Sequence, residues 1–500
     1  MEALVIVLVA SLFALAVVPS KHAPPAGYPT LDEVALPLDD AYIFLRFAQQ
    51  IARGNGLEWS DGVGSSGATS LALLPLLLPG QLSSELSTQV VWSRWVGWAT
   101  LVLLGLATLA LLRALRLPEP MPLLGSFAVL LSGPVGWGAI AGMESALNAA
   151  AIFLACTLWT RIVDPSEPVA RRLFWTALVT GLLPLARPEN LLLSGLGFVA
   201  VMTLRSFRGR RGLAVLTLLP GALLGLLNLA VTGNPRPAGA LAKSITEFAY
   251  LDPATIWAIY DLNLGEKLLP AYLGLRGALL WPPVGWIALG LAVAAPLLIL
   301  RQRERFRCLA VVAIVWWLLL LAAPLSAMVE WQNMRHHHAG LALAWILTIA
   351  AVSLALEAVR SRLGGPKHLR WLLGLMPALL LLALPGWRTE YRLEVEHLLL
   401  RHGPAAEWLA THAAGEELLL NDAGYLAVRH DGPMIDAIGL GTPALARPYR
   451  HGPGATVESL ARLDRRPAVA AVNLDVFHLG PILGQRLGPE PPRESDTLVA

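Results

Sequence analysis

Residues 36–50 read LPLDDAYIFLRFAQQ. Two adjacent carboxylates, Asp39 and Asp40, follow the first long apolar run of the chain and open a stretch of apolar and aromatic residues that carries one arginine, Arg46. On a helix, Ala41, Phe44, Leu45, Ala48 and Ala52 share one stripe, with Gln49, Gln50 and Arg53 off it. That pattern predicts an amphipathic helix lying in a membrane interface. The acids fall at its N-terminus, where the helix dipole favours negative charge. A cap accounts for one aspartate well and for two less well.

Outward from this stretch the chain is strongly apolar. Of 500 residues 55% are hydrophobic and only 15% charged, against about 25% charged in soluble domains. Leu/Ala/Val runs of about 15–25 residues predict a mainly α, polytopic transmembrane bundle. About eleven spans are expected, near 3–19, 90–112, 121–140, 143–160, 173–186, 190–204, 213–231, 277–300, 308–327, 338–357 and 371–386. The run at 71–78 is too short to cross and reads as re-entrant or interfacial. Residues 3–19 are expected as an uncleaved span, because Glu2 replaces the basic n-region of a signal peptide and no small-x-small site follows.

Basic residues set the expected orientation. With the N-terminus inside, the five inner loops hold 17 Lys/Arg in 48 residues, RSFRGRR at 205–211 and RQRERFR at 301–307 being the densest. The positive-inside rule supports this arrangement. The expected location is a bacterial or archaeal cell (inner) membrane. The net charge of +3, scattered between apolar runs, gives no footprint for nucleic acid. Cys156 and Cys308 are too few for a disulfide framework or metal knuckle.

Residues 1–387 therefore form the expected membrane module, with juxtamembrane outer segments at about 38–80 and 232–276. Residues 388–500 are mixed and Pro/Gly-punctuated. AEWLATHA and TVESLARL read as helices, and EELLLND, PMIDAIGL and AVAAVN as strands. They predict a C-terminal extracytoplasmic α/β domain.

In this orientation the unusual polar residues collect outside: Asp39, Asp40 and Arg46; Glu144; Arg187 and Glu189; Lys243; Arg335 with His336, His337 and His338. Ionised groups at span ends usually face a cavity or ligand. Consecutive histidines point about 100° apart on a helix and cannot share one metal. Asp422 and Asp436 sit at predicted strands, where they either contact a glycan or fix turns. Most of the 17 tryptophans suit the aromatic belt. Trp59 and Trp331, in outer loops, are better placed to stack on a sugar.

DDAYIFLRFAQQIARGNGLEW at 39–59, GATS at 67–70, GMESAL at 142–147, RPEN at 187–190, NPRPAGALAK at 234–243 and DAGYLAVRHDGPMIDAIGL at 422–440 together resemble the GT-C superfamily of integral membrane glycosyltransferases. The resemblance runs in order over most of the chain and is nearest the branch with the mycobacterial terminal arabinofuranosyltransferase. It implies a polyprenyl-phosphate sugar donor and a catalytic base in the acidic pair, Asp39 first and Asp40 as alternate. It also implies donor-phosphate contacts from Lys243, Arg335, His336, His337 and Arg46, and substrate or acceptor contacts from Glu144, Arg187, Glu189, Trp59, Trp331, Asp422 and Asp436. Relatives carry tyrosine where a histidine follows Arg335, and DGVGSSGATS lacks the acidic and aromatic residues usual before Thr-Ser. The acceptor is expected to be a glycan, lipid or protein hydroxyl outside the cytoplasm. No cofactor is required; a divalent cation has room at Asp39 and Asp40. A glycan polymerase or ligase is the nearest alternative. A flippase is a weaker one, since the chain lacks the inverted repeats and midplane helix breaks of transporters.

Overall fold

The computed structural model describes residues 1–19, 34–162, 169–248, 252–272, 304–329, 331–363 and 375–472. The expected span at 277–300, the start of the one at 371–386 and the Trp331 side chain lie outside them. Among the described residues five helices are long and apolar enough to cross a membrane: Leu86–Ala114, Ser145–Ile162, Arg205–Thr232, Arg307–Leu325 and Gln332–Glu357. The chain is a multi-pass, mainly helical membrane protein.

The expected span at 121–140 is instead a bent pair, Met121–Leu131 and Gly133–Ile140, turned by 62°. Ser132 is extended (φ −62°, ψ 109°), and Pro134 in the first turn of the second helix supplies no amide to continue the first. The apolar helices Glu2–Val17 and Pro188–Thr203 are shorter. The 71–78 run becomes one α turn, Leu74–Leu77, passing into a 3-10 turn, Leu78–Leu82.

The chain divides into two compact units. The first comprises Met1–Pro19, Trp95–Ala222 and Ala258–Tyr391. Its core is built of aliphatic side chains and buried Trp137, Trp316 and Trp345. The second comprises Ser20–Arg94, Leu223–Trp257 and Arg392–Ala500. The second unit thus holds the C-terminal segment from Arg392 together with residues 38–80 and the first part, to Trp257, of the expected outer segment 232–276.

In the second unit, β1 (Glu58–Ser60) and β2 (Val63–Gly64) form an antiparallel hairpin. β3 (Leu418–Leu420), β4 (Met434–Asp436) and β5 (Val469–Ala471) form a parallel sheet in the order β4-β3-β5. These are the three strands expected from EELLLND, PMIDAIGL and AVAAVN. Leu419, Ile435, Ala437, Leu445 and Val472 form its core. The helix Leu384–His412 contains most of AEWLATHA, and Pro453–Arg462 most of TVESLARL.

The helix Asp39–Ala52 departs from expectation. Every residue from Ala41 to Ala48 is buried, so it is an internal strut rather than an interfacial helix. A stripe seen from sequence does not say whether lipid or protein covers the opposite face; here protein covers both.

Candidate functional site

The N-cap of the helix Asp39–Ala52 is Leu38 rather than either aspartate, and both acids lie in the first turn. Asp39 instead reaches the other end of the sequence. Gly424 N–H donates to Asp39 Oδ2 (3.0 Å) and Tyr425 N–H to Oδ1 (2.7 Å). These amides begin the short helix Tyr425–Arg429, so Asp39 caps a helix nearly four hundred residues away in sequence. Tyr42, one turn on, meets Tyr425 edge to face with centroids 5.2 Å apart. Its hydroxyl oxygen accepts from Leu36 N–H. A Cβ at Gly424 would collide with the Asp39 carbonyl oxygen, so this approach needs glycine for its lack of a side chain.

Asp40 Oδ2 lies 3.7 Å from Lys243 Nζ, with the two side chains 19% and 17% exposed. Asp422 accepts from Arg401 Nη2 at 3.0 Å and faces His402 Nε2 at 3.5 Å. Burial pushes the Asp39 carboxyl well above the ordinary carboxylate range; the charges of Asp422 and Asp40 add to the rise, and the two amides oppose it. Asp422 is likewise raised, by burial first, against the pull of Arg401. Burial lowers His402 to about 3, so it is neutral at physiological pH and contributes no charge to Asp422. The second unit therefore gathers three carboxylates, one ammonium and one guanidinium, with Asp39 the carboxylate held by backbone donors.

Loops from the recognised motifs hold this arrangement. Ser65 Oγ donates to the Leu440 carbonyl and Ser66 Oγ accepts from Ala238 N–H, joining 63–67 to the segments that carry Asp436 and Lys243. Trp59 is wholly buried. Its Nε1–H donates to the Ala423 carbonyl at 3.0 Å and its ring fills the space beside Gly441. It has no face open to a sugar, and the stacking expectation is corrected: a loop tryptophan can be the plug of a domain. Arg46, only 2% exposed, donates from Nε to the Trp59 carbonyl at 2.8 Å, an internal tie rather than an open phosphate ligand. Asp436 is also buried. It accepts from Ile438 N–H and Gly441 N–H and fixes the turn after β4, the second of its two expected roles. Burial raises it to about 6 despite those amides.

In the first unit, Arg187 is a buried node. Nη1 donates to Glu144 Oε1 (2.9 Å), Nε to Glu189 Oε1 (2.6 Å) and Nη2 to His336 Nδ1 (2.5 Å). Among the described residues the other Glu144 oxygen, Oε2, has no hydrogen-bond partner. Arg335 is 4% exposed, with Nη1 3.6 Å from Met143 Sδ. His337 is buried, and His338 Nε2 lies 3.0 Å from the Asn333 carbonyl. GMESAL, RPEN and the histidine run are thus brought together by one guanidinium. Among the described residues no group of three His, Cys, Asp or Glu is arranged to hold a metal ion.

Sequence reasoning missed Gly424, Tyr425, Arg401 and His402 as individual residues. The first two lie inside the quoted motif DAGYLAVRHDG, whose Asp-Ala-Gly carried the signal. Arg401 and His402 lie at the end of an apolar helical run and gave none.

Known structures agree with this geometry in fold. The archaeal oligosaccharyltransferase of Archaeoglobus fulgidus, in complex with Zn and sulfate, superposes with TM-score 0.55 at 15% identity over 86% of this chain. The same archaeal enzyme, AglB, with an inhibitory peptide and a dolichol-phosphate, gives TM-score 0.52 at 11% identity over 87% of this chain. Apo ArnT from Cupriavidus metallidurans gives TM-score 0.50 at 14% identity, covering 95% of this chain and 93% of its own. The likeness to these oligosaccharyltransferase and ArnT structures is one of fold. The present chain covers only 62% of the archaeal enzyme. Residues 388–491 match a domain family of unknown function, DUF8728. A comparison with curated protein sequences finds no match.

Proposed function

We propose that the protein is an inverting membrane glycosyltransferase that moves a sugar from a polyprenyl-phosphate donor to a hydroxyl on an extracytoplasmic glycan, lipid or protein. The observation that carries this reading is the Asp39 carboxylate, raised in basicity by burial and neighbouring charge and fixed by two amides within a GT-C fold. An alcohol is a weak nucleophile. A carboxylate within hydrogen-bond reach takes its proton as the oxygen attacks the anomeric carbon, and a base whose affinity is nearer the working pH does this better than an ordinary aspartate. Each Asp39 oxygen accepts one amide and keeps a second lone pair for that proton. The C1–O bond to the lipid phosphate breaks, and the phosphate carries away the electron pair. Lys243, held at Asp40, neutralises the charge that develops there.

One base and a direct displacement invert the anomeric centre. A retaining route needs two carboxyl groups about 5–5.5 Å apart flanking the sugar. Adjacent helical residues such as Asp39 and Asp40 point about 100° apart and do not form such a pair. Dolichol-phosphate bound to AglB supports the donor class.

The reading is tested by incubating purified protein with a synthetic polyprenyl-phosphate sugar and candidate acceptors. Product of opposite anomeric configuration, with release of the lipid phosphate, is expected. Retained configuration, or transbilayer movement of the lipid with no bond broken, overturns it.

A further inference from the structure

The first unit holds a second built feature, which the proposed reaction does not use. Four helices, Ser145–Ile162, Val169–Ala186, Leu191–Thr203 and Glu304–Ala322, enclose a half-open apolar groove of about 220 Å³. Cys156, Trp159, Thr180, Gly197, Ala200 and Leu204 are among its walls. The one indole N–H in the lining is satisfied, since Trp159 Nε1 donates to Thr180 Oγ1 at 3.0 Å. The groove therefore presents hydrocarbon and suits an alkyl chain.

Its end is marked by charge. Leu204 lines the groove and is followed directly by RSFRGRR. Phe207 anchors that stretch: it is buried among Ile162, Leu173, Val201 and Ala214 and packs edge-on against Trp159 with centroids 6.4 Å apart. With Phe207 turned inward, Arg205, Arg208, Arg210 and Arg211 are exposed. Cys308 Sγ near the Thr160 carbonyl brings the start of Glu304–Ala322, with exposed Arg307, to the same end.

In a bilayer the groove alone selects nothing, because lipid tails are as apolar as the leucines they would leave. Selection must come from the headgroup. Guanidinium groups bind phosphate by paired, charge-assisted hydrogen bonds, and juxtamembrane basic clusters attract anionic lipids. We infer that this face holds one anionic phospholipid, an acyl chain in the groove and its phosphate against the Arg205–Arg211 cluster.

The test uses the full chain in nanodiscs of mixed phosphatidylglycerol and phosphatidylcholine, followed by delipidation and native mass spectrometry. Wild type is expected to retain one phosphatidylglycerol per chain. The combined Arg205→Gln, Arg208→Gln and Arg211→Gln variant, altered only at exposed positions, and Ala200→Phe, which fills the groove, are each expected to lose at least tenfold of that retention. Equal retention of both lipids, or wild-type retention by the glutamine variant, overturns the inference. So does displacement of phosphatidylglycerol by a synthetic polyprenyl phosphate whose binding survives the arginine changes, which would assign the groove to an isoprenoid chain.

Discussion

Gly424→Ala is the most telling single change. Gly424 has φ −107°, so it is not there for a left-handed backbone. Alanine is excluded by space: its Cβ would meet the Asp39 backbone carbonyl and stand 2.7 Å from Asp39 Oδ2. A main-chain oxygen cannot escape by changing rotamer, so the starts of Asp39–Ala52 and Tyr425–Arg429 must separate. Forced overpacking costs about 1–3 kcal/mol. Weakening an amide bond to a charged carboxylate adds about 1.5–3 kcal/mol. A destabilisation of about 3 kcal/mol or more is expected. Asp39 would also lose its orientation, and misplacement by about 1 Å can cost on the order of 100-fold in rate. Gly454→Ala is the control: it lies in the helix Pro453–Arg462 with nothing within 4 Å of its built Cβ and should be neutral or slightly stabilising. Thermal midpoints and kcat/KM for sugar transfer are the assays. A Gly424→Ala protein with wild-type midpoint and rate would refute the claim that this approach positions the carboxylate.

Three further outcomes follow from the same geometry. The charge of Asp422 raises Asp39, and the base works only when deprotonated, so activity should fall as pH drops through this raised value. Asp422→Asn should move the acid limb of the kcat/KM profile to lower pH; an unmoved limb would show that Asp39 is not the titrating base. Arg187→Met leaves Glu144 buried and uncompensated, at a cost of about 3–5 kcal/mol, whereas Glu144→Leu with Arg187→Met should recover part of it, as read by folded yield and thermal midpoint. Trp59→Phe should lower stability by about 1–3 kcal/mol, through loss of the bond to Ala423, without changing KM for the acceptor; a raised KM with unchanged stability would restore a sugar-stacking role.

Much of the fold was legible because its signals are local. LLL at 418–420, MID at 434–436 and VAA at 469–471 are short apolar runs between turn residues, and each became a strand. The long Leu/Ala/Val runs likewise became apolar helices. What sequence could not supply was the identity of the covering surface. The Asp39–Ala52 stripe reads alike whether lipid or protein lies over it, and Trp59 and Arg46 look exposed until the partners at 423 and 59 are known. The acidic pair stands out in the sequence, yet the partners of Asp39, Gly424 and Tyr425, are fixed by a tertiary contact that no periodicity encodes. The kink at Ser132 was readable in principle from SGP at 132–134, but apolarity on both sides masked it.

The central claim rests on Asp39. The most direct measurement is single-turnover transfer from a synthetic polyprenyl-phosphate sugar by wild type, Asp39→Asn and Asp40→Asn, each shown to be folded and to bind donor. Loss of about 100-fold or more in Asp39→Asn, as expected for removal of a general base, with a smaller loss in Asp40→Asn, is the predicted result. Wild-type transfer by Asp39→Asn would contradict it and leave Asp39 as the cap of a distant helix alone.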